Sequence, residues 1–235
     1  MKAISIIGYK KTGKTTLAVS LARELASRGL KVAAAKFTHH GFDREGTDTA
    51  KLAEVCSAVV GLSEGQTQIV WSGPRFLPDL LPLVSADVLI VEGGKSLGWL
   101  PRVLLLRSPG EADELGRELA LATFGHVGAS GLHSVADVSE LAELVLAKGF
   151  ALPGLDCGSC GLETCWRMAE RMVAGKLDGE DKPCKAAHGA LRIEIGGAAL
   201  AMNPFVAALV RGAIAGMLGQ LKGYAPGTPV RIEMD

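Results

Sequence analysis

The stretch AISIIGYKKTGKT (residues 3–15) constrains this chain more than any other. Its mostly apolar first half reads as a buried strand. It runs directly into Gly8-Tyr9-Lys10-Lys11-Thr12-Gly13-Lys14-Thr15, which fits the phosphate-loop pattern G-x-x-x-x-G-K-[ST]. Glycines in such a loop let backbone N–H groups turn inward around phosphate oxygens. The lysine reaches the β- and γ-phosphates, and the threonine hydroxyl serves Mg²⁺. The pattern alone arises by chance, so its flanks matter. LAVSLARELASRG (17–29) follows with apolar residues at helical spacing and Gly29 as a stop, and LKVAAAKF (30–37) reads as a second strand. Strand, glycine loop, helix and strand make a βαβ unit, which predicts a parallel sheet.

The remaining elements extend that α/β reading. TDTAKLAEVCS (47–57) reads as a helix, AVVGLSEG (58–65) and TQIVWSG (67–73) as strands around a turn, and FLPDLLPLV (76–84) as a short helix. DVLIVEGG (87–94), VLLLR (103–107) and LALATFG (119–125) read as strands, and SVADVSELAELVLAKG (134–149) as an amphipathic helix with a serine or aspartate start and a glycine stop. The composition shifts at PGLDCG (153–158). Beyond it, LRIEIGG (191–197), AALAMNP (198–204), a helix over 205–221 and TPVRIEM (228–234) predict a strand–strand–helix–strand tail. The expected fold class is therefore α/β: a phosphate-loop domain with a mostly parallel sheet over 1–150, a small cysteine-rich domain over 151–189, and a compact α+β tail over 190–235.

Twenty-five basic residues balance 25 acidic ones, which points away from nucleic acid or an anionic membrane as partner. The N-terminus lacks a signal-peptide pattern, and no stretch reaches the roughly 18–20 apolar residues of a membrane span. The nearest, FVAALVRGAIAGMLGQL (205–221), carries Arg211 near its middle. A cytoplasmic location is expected, and in a reducing compartment the five cysteines are thiols or metal ligands rather than disulfides.

A phosphate-loop protein needs an acid near Mg²⁺, usually at the end of a neighbouring strand. Glu92, closing the apolar run of DVLIVEGG, meets that need. Gly8, Lys11, Thr12, Gly13, Lys14, Thr15 and Thr16 are the expected nucleotide contacts, with Lys14 and Glu92 as catalytic candidates and Thr15 as a Mg²⁺ ligand. The polar loop THHGFDREGTD (38–48) stands where a switch over the γ-phosphate would sit. It makes Asp48 a candidate nucleotide contact and offers Asp43, His39 and His40, for which a solvated loop is the competing reading. The chain has one asparagine, Asn203, and no N/T-K-x-D pattern, so GTP and ATP both remain open.

Cys157-Gly158-Ser159-Cys160-Gly161-Leu162-Glu163-Thr164-Cys165, with Cys184 beyond, gives C-x₂-C-x₄-C-x₁₈-C. Four thiolates suit tetrahedral zinc or a four-iron cluster. Zinc ribbons usually use two tight C-x₂-C pairs. Three cysteines in one loop, with a fourth returning after the predicted helix WRMAERMVAG (166–175), suit a [4Fe–4S] cube better. Cys56 stands apart and is expected in the core. In the tail, Ala208, Gly212 and Gly216 lie four apart, a spacing that serves either tight internal packing or a homodimer contact.

Two resemblances follow from these motifs. GYKKTGKTTL, the histidine-bearing loop with Gly46-Thr47-Asp48-Thr49, and LIVEGGK together resemble molybdopterin-guanine dinucleotide biosynthesis protein B, over about residues 1–150. The resemblance implies GTP and Mg²⁺ binding, weak hydrolysis, and an adapter role toward the nucleotidyltransferase that makes the guanine dinucleotide form of molybdenum cofactor. By position, Lys14, Thr15 and Glu92 take nucleotide and Mg²⁺ roles, and Lys95 matches a lysine of the family's V-E-G-x-K stretch. Residues 156–185 are similar to the cluster domain of corrinoid iron–sulfur proteins and of the B subunit of Rnf complexes. That similarity implies one [4Fe–4S] cluster on Cys157, Cys160, Cys165 and Cys184.

The combination departs from the simple adapter, which carries no cluster. One expectation is a GTP-binding maturation adapter, with a nucleotidyltransferase or a molybdenum or tungsten apoenzyme as partner. Another is a redox protein in which the nucleotide gates electron transfer, although Tyr9 stands where nitrogenase-iron-protein-type ATPases have a lysine, or a metalloenzyme maturation factor outside cofactor synthesis. A third is a phosphate-loop scaffold with structural zinc.

Overall fold

A computed structural model describes residues 1–38, 46–176, 184–186, 191, 193–195, 198–200, 202–224, 230 and 232. The elements follow in chain order as β1 (Lys2–Gly8), α1 (Lys14–Ser27), β2 (Val32–Lys36), α2 (Asp48–Ala53), β3 (Ala58–Leu62), β4 (Thr67–Trp71) and α3 (Leu77–Leu80) with a 3₁₀ turn. Then come β5 (Val88–Glu92), β6 (Arg102–Leu105), α4 (Glu111–Glu114), β7 (Ala120–Phe124), β8 (Ser134–Val135), α5 (Val138–Lys148), α6 (Cys165–Val173), β9 (Glu194–Ile195), β10 (Ala198–Ala199) and α7 (Pro204–Leu218).

Six strands form the main sheet in the order β2-β5-β1-β6-β7-β8, and every pair within it is parallel. The chain leaves β1 toward β2 on one side and later crosses to β6 on the other. That reversal puts a crevice at the carboxyl end of β1, where open α/β sheets hold ligands. Register fixes what reaches this edge: Lys36 of β2 and Ile6 of β1 both pair with Glu92 of β5, and Gly8 of β1 pairs with Leu105 of β6.

Strand alternation divides the core. Ile4, Ile6, Val88, Ile90, Val103 and Leu105 face α1 and α5, and α1 meets them with Leu17, Leu21 and Leu25 at successive four-residue steps. Helix α1 starts directly at Lys14 and closes at Gly29, whose φ is +82°. On the opposite face Ala3, Leu89 and Val91 pack with Trp99, Leu100, Leu119, Leu152, Met168, Ala169 and Cys184. The cysteine segment therefore supplies part of the second layer of the sheet. A fully buried aliphatic side chain contributes on the order of 1.5–3 kcal/mol, so this layer is integral to the core.

Several expected elements shift. The helix expected over 134–149 begins only after Asp137, which accepts from Glu140 N; Ser134–Val135 instead extends the sheet as β8. Strands β3 and β4 pair with each other as a separate antiparallel hairpin. The tail strands shrink to two residues each and pair antiparallel, and α7 is capped by Asn203, whose side chain accepts from Val206 N. TPVRIEM falls almost wholly outside the described residues. Ala208, Gly212 and Gly216 are exposed, and a Cβ on Gly212 or Gly216 would meet nothing within 4 Å. Tight internal packing thus does not account for their spacing. Cys56 lies past the end of α2 and is only half-buried, so it is not a core residue, because α2 is too short to carry it inward.

Candidate functional site

The loop after β1 is built by its glycines. A Cβ on Gly8 would lie 2.6 Å from Thr12 Oγ1 and 2.7 Å from the Leu105 carbonyl, so only glycine lets the loop turn against β6. Gly13 adopts φ +89° as it opens α1, and Lys11 sits at φ +67°, a conformation that costs a non-glycine residue roughly 1–2 kcal/mol. Thr12 Oγ1 donates to the Tyr9 carbonyl at 2.9 Å, and Lys14 Nζ donates to the same carbonyl at 2.6 Å. The ammonium is folded over its own loop, where phosphate oxygens would compete for it.

Across from Lys14, Thr15 Oγ1 donates to Glu92 Oε1 at 2.8 Å. Lys36 Nζ lies 3.1 and 3.2 Å from the two Glu92 oxygens and 3.4 Å from Thr15 Oγ1. A hydroxyl and a carboxylate thus share one cation, the Lys36 ammonium. The electrostatics favour an anion nearby. Burial pushes Lys14 below the ordinary lysine range; Glu92 opposes that shift, while Lys95 and Lys36 add to it. Lys36 and Lys95 both act on Lys14 with like charge, and an anion brought among the three ammonium groups would relieve that repulsion.

Lys95 Nζ sits 4.1 Å from the centre of the Tyr9 ring, and the Arg107 guanidinium 4.5 Å from it. The Tyr9 hydroxyl donates to Glu114, and that bond, more than burial, raises its pKa. Lys95 is thereby tied to the phosphate loop through the tyrosine. Gly93 and Gly94 bring it there at φ +86° and +73°, and a Cβ on Gly94 would strike Leu97 and Phe37.

Two further expected residues lie in the first turns of helices. Thr16 is exposed on the first turn of α1. Asp48 opens α2 with 97% of its side chain exposed and pairs with Lys51 at 3.5 Å. His39, His40 and Asp43 lie outside the described residues. Sequence reasoning missed Lys36. The available signal was a charge ending a parallel strand, since parallel register puts the ends of neighbouring strands side by side.

The cysteines converge on the far face of the sheet. Cys157, Cys160, Cys165 and Cys184 line one pocket together with Leu152, Met168 and Ala186. Gly158 and Gly161 take φ +66° and +84° so that the loop can curl, and Gly161 N donates to the Gly158 carbonyl at 2.9 Å. Thr164 caps α6 by accepting from Arg167 N, and Cys165 N donates to Asp156 Oδ1 at 2.5 Å. The positive end of α6 thus begins at Cys165 and favours an anionic group in the pocket. Hydrogen bonds from the Ser159 side chain and backbone lower the Cys157 thiol, whereas burial raises Cys165. Among the described residues no three His, Cys, Asp or Glu side chains are drawn up tightly enough for a single metal ion. The thiols instead ring a common space, and an all-thiol set of four fits an iron–sulfur cluster.

A sequence profile described as molybdopterin guanine dinucleotide synthesis protein B, MobB, matches residues 3–123. The chain belongs to the MobB family. A second profile, described as "Putative Fe-S cluster", matches residues 152–181 and so stops just before Cys184. Over its whole length the chain is 26% identical to a Methanocaldococcus jannaschii protein named "Putative molybdopterin-guanine dinucleotide biosynthesis adapter protein", of which it covers 98%. It is 32% identical over 112 residues to the molybdopterin-guanine dinucleotide biosynthesis adapter protein of Haemophilus influenzae, covering 44% of this chain and 62% of that protein. Among solved structures, Bacillus subtilis MobB superposes with a TM-score of 0.52 at 20% identity, over 64% of this chain and 99% of that one, which establishes the shared fold. Among the described residues no helix is long and apolar enough to cross a membrane.

Proposed function

We propose that this MobB-family chain is a GTP-binding adapter in the synthesis or delivery of the guanine dinucleotide form of molybdenum or tungsten cofactor, and that it carries a [4Fe–4S] cluster. The observation that carries the nucleotide half is the Lys36 ammonium held between the Thr15 hydroxyl and the Glu92 carboxylate, beside a Lys14 that already caps a loop carbonyl. In this reading Thr15 and Glu92 hold Mg²⁺, and Gly8, Lys11, Thr12, Gly13, Lys14 and Thr16 form the phosphate cradle. Lys14 supports slow hydrolysis by neutralising and orienting the phosphates, and Glu92 does so through the Mg²⁺ it would hold. Bound Mg²⁺ would supply neutralisation of phosphate charge.

Cys157, Cys160, Cys165 and Cys184 hold the cluster, supported by their common pocket and the helix terminus at Cys165. The working division is a nucleotide part over 1–150, a cluster part over 151–189 and a tail over 190–235. Partners in this reading are the cofactor nucleotidyltransferase or a molybdenum or tungsten apoenzyme, in the cytoplasm. The exposed stripe of α7 suits a second copy of the chain.

The test is anaerobic purification with iron, sulfide and zinc analysis, followed by calorimetry with GTP and ATP, with and without Mg²⁺, and capture of the nucleotidyltransferase. About four irons per chain, Mg²⁺-dependent GTP preference and capture support the reading. Zinc in place of iron, or ATP preference without capture, overturns it.

A further inference from the structure

Arg102, the first residue of β6, is 1% exposed, and among the described residues it forms no ion pair. A buried charge with no carboxylate in direct contact is costly and needs a reason; Glu118, which also holds Trp166, is the carboxylate that acts on it from nearby. Its Nη1 donates to the Leu115 carbonyl at 2.7 Å, and its Nη2 donates to the carbonyls of Lys95 at 2.6 Å and Leu97 at 3.2 Å. Its Nε has no partner among the described residues. The guanidinium lies 4.7 Å from the ring centre of Trp166, the residue after Cys165.

Both sides of this contact are shaped for it. A Cβ on Gly98 would stand 2.4 Å from the Trp166 ring, and one on Gly116 would stand 2.2 Å from Arg102 Nη1. Trp166 Nε1 donates to Glu118 Oε1 at 3.2 Å, which fixes the ring plane. From there the contacts run on without a break. Arg102 holds the Lys95 backbone; the Lys95 ammonium lies over Tyr9; and the Tyr9 carbonyl accepts from Lys14. One end of the chain of contacts is a thiolate ligand and the other is the phosphate lysine.

We infer that Arg102 and Trp166 are positioning residues that couple the iron–sulfur site to nucleotide binding, so that nucleotide affinity depends on the oxidation state of the cluster. The inference rests on the reading that both sites are loaded. Reduction adds one electron, taken from an external one-electron donor such as dithionite, and no bond at Arg102 forms or breaks. With a cluster bound, the Arg102 guanidinium beside Trp166 would feel the added negative charge, and its hold on the Lys95 and Leu97 carbonyls would change. Thermodynamic linkage requires the reciprocal effect: nucleotide shifts the cluster potential by the same free energy.

The experiment uses the cluster-loaded full chain. GTP affinity is measured with oxidised and with dithionite-reduced protein, and the midpoint potential is followed by EPR with and without GTP. We expect about a fivefold or larger difference in affinity between the two oxidation states, in the range usual for coupled sites. The matching potential shift is about 40 mV, at about 59 mV per decade for one electron. Trp166→Leu and Arg102→Lys reduce the ratio to below about twofold while iron content and oxidised-state GTP binding persist, and Trp166→Phe, which keeps a ring face, restores it. Equal affinities in both oxidation states overturn the coupling, as does full coupling in Trp166→Leu. Absence of iron or of any nucleotide binding in the wild-type chain overturns the underlying reading and the inference with it.

Discussion

Lys36 gives the sharpest test of the nucleotide site, because replacing it moves metal and nucleotide affinity in opposite directions. The ammonium sits 3.1 Å from Glu92, whose side chain is 13% exposed, while Lys36 itself is 48% exposed. Two unit charges at that separation interact by about 5 kcal/mol at an effective dielectric constant of about 20. Solvent screening of the half-exposed lysine brings the net value to about 1 kcal/mol, as for other exposed pairs. Any cation entering between Thr15 and Glu92 must displace this ammonium. Lys36→Met removes the competitor, so Mn²⁺ used as an EPR-visible probe should bind the nucleotide-free protein about fivefold more tightly, the equivalent of about 1 kcal/mol. The same substitution removes a positive charge beside the phosphate cradle. In chelator-treated, metal-free buffer, calorimetry should therefore show GTP binding weakened by a similar factor of about five. Glu92→Gln provides the control, since it should abolish Mn²⁺ binding and leave the free-ion signal undiminished. If Lys36→Met weakened both ligands together, or changed neither, Lys36 would be a surface ion pair rather than an occupant of the cation position.

Gly8→Ala drives a methyl group to 2.6 Å from Thr12 Oγ1 and 2.7 Å from a backbone carbonyl, so calorimetry should show at least about a tenfold loss of GTP affinity with iron content unchanged. Thr164→Ala removes the cap of α6; it should cost about 1 kcal/mol and lower the melting temperature by about 2–4 °C in a chain of this size. Glu111 is held below its ordinary value of 4.5, first by the backbone N–H of Arg107 and also by the Arg107 side chain. Its stabilising contribution is thus present above that value and is lost as pH falls through the lower, folded-state value; Glu111→Gln should flatten this acid limb in urea midpoints taken across it.

The sheet was largely legible in the sequence because its strands are short apolar runs bounded by turn chemistry, and because G-x-x-x-x-G-K-T orients the first βαβ unit. Glu92 was legible for the same reason: it ends an apolar run at the edge where parallel strands gather their carboxyl termini. Lys36 was not, since its importance comes from register with Glu92, and pairing partners are not written in local sequence. The boundary at 134–137 was misjudged because Ser134 and Asp137 are both good helix starters; the difference is that Val135 is needed to pair with Phe124. Arg102 was invisible for a deeper reason. A charged residue at the start of an apolar run reads as a solvated strand end, and only the return of Trp166 and the turn through Leu115 bury it.

The even and odd residues of β1 and β5 also explain why the two sites can share one small chain. Ile4, Ile6, Val88 and Ile90 commit one face to α1 and α5, which anchor the phosphate loop. Ala3, Leu89 and Val91 commit the other face to the segment that carries the cysteines. Glu92 follows Val91 directly, so the residue that meets Thr15 is covalently next to one that packs in the cysteine-bearing layer. Loosening that layer exposes Leu89, Leu100 and Leu119, which are now at most 2% exposed, and removes the support beneath the turn that carries Gly93, Gly94 and Lys95. In the proposed reading, iron-free protein should therefore bind GTP more weakly by calorimetry than cluster-loaded protein, even where every expected phosphate-contacting side chain is intact, because both expected sites stand on opposite faces of the same strand.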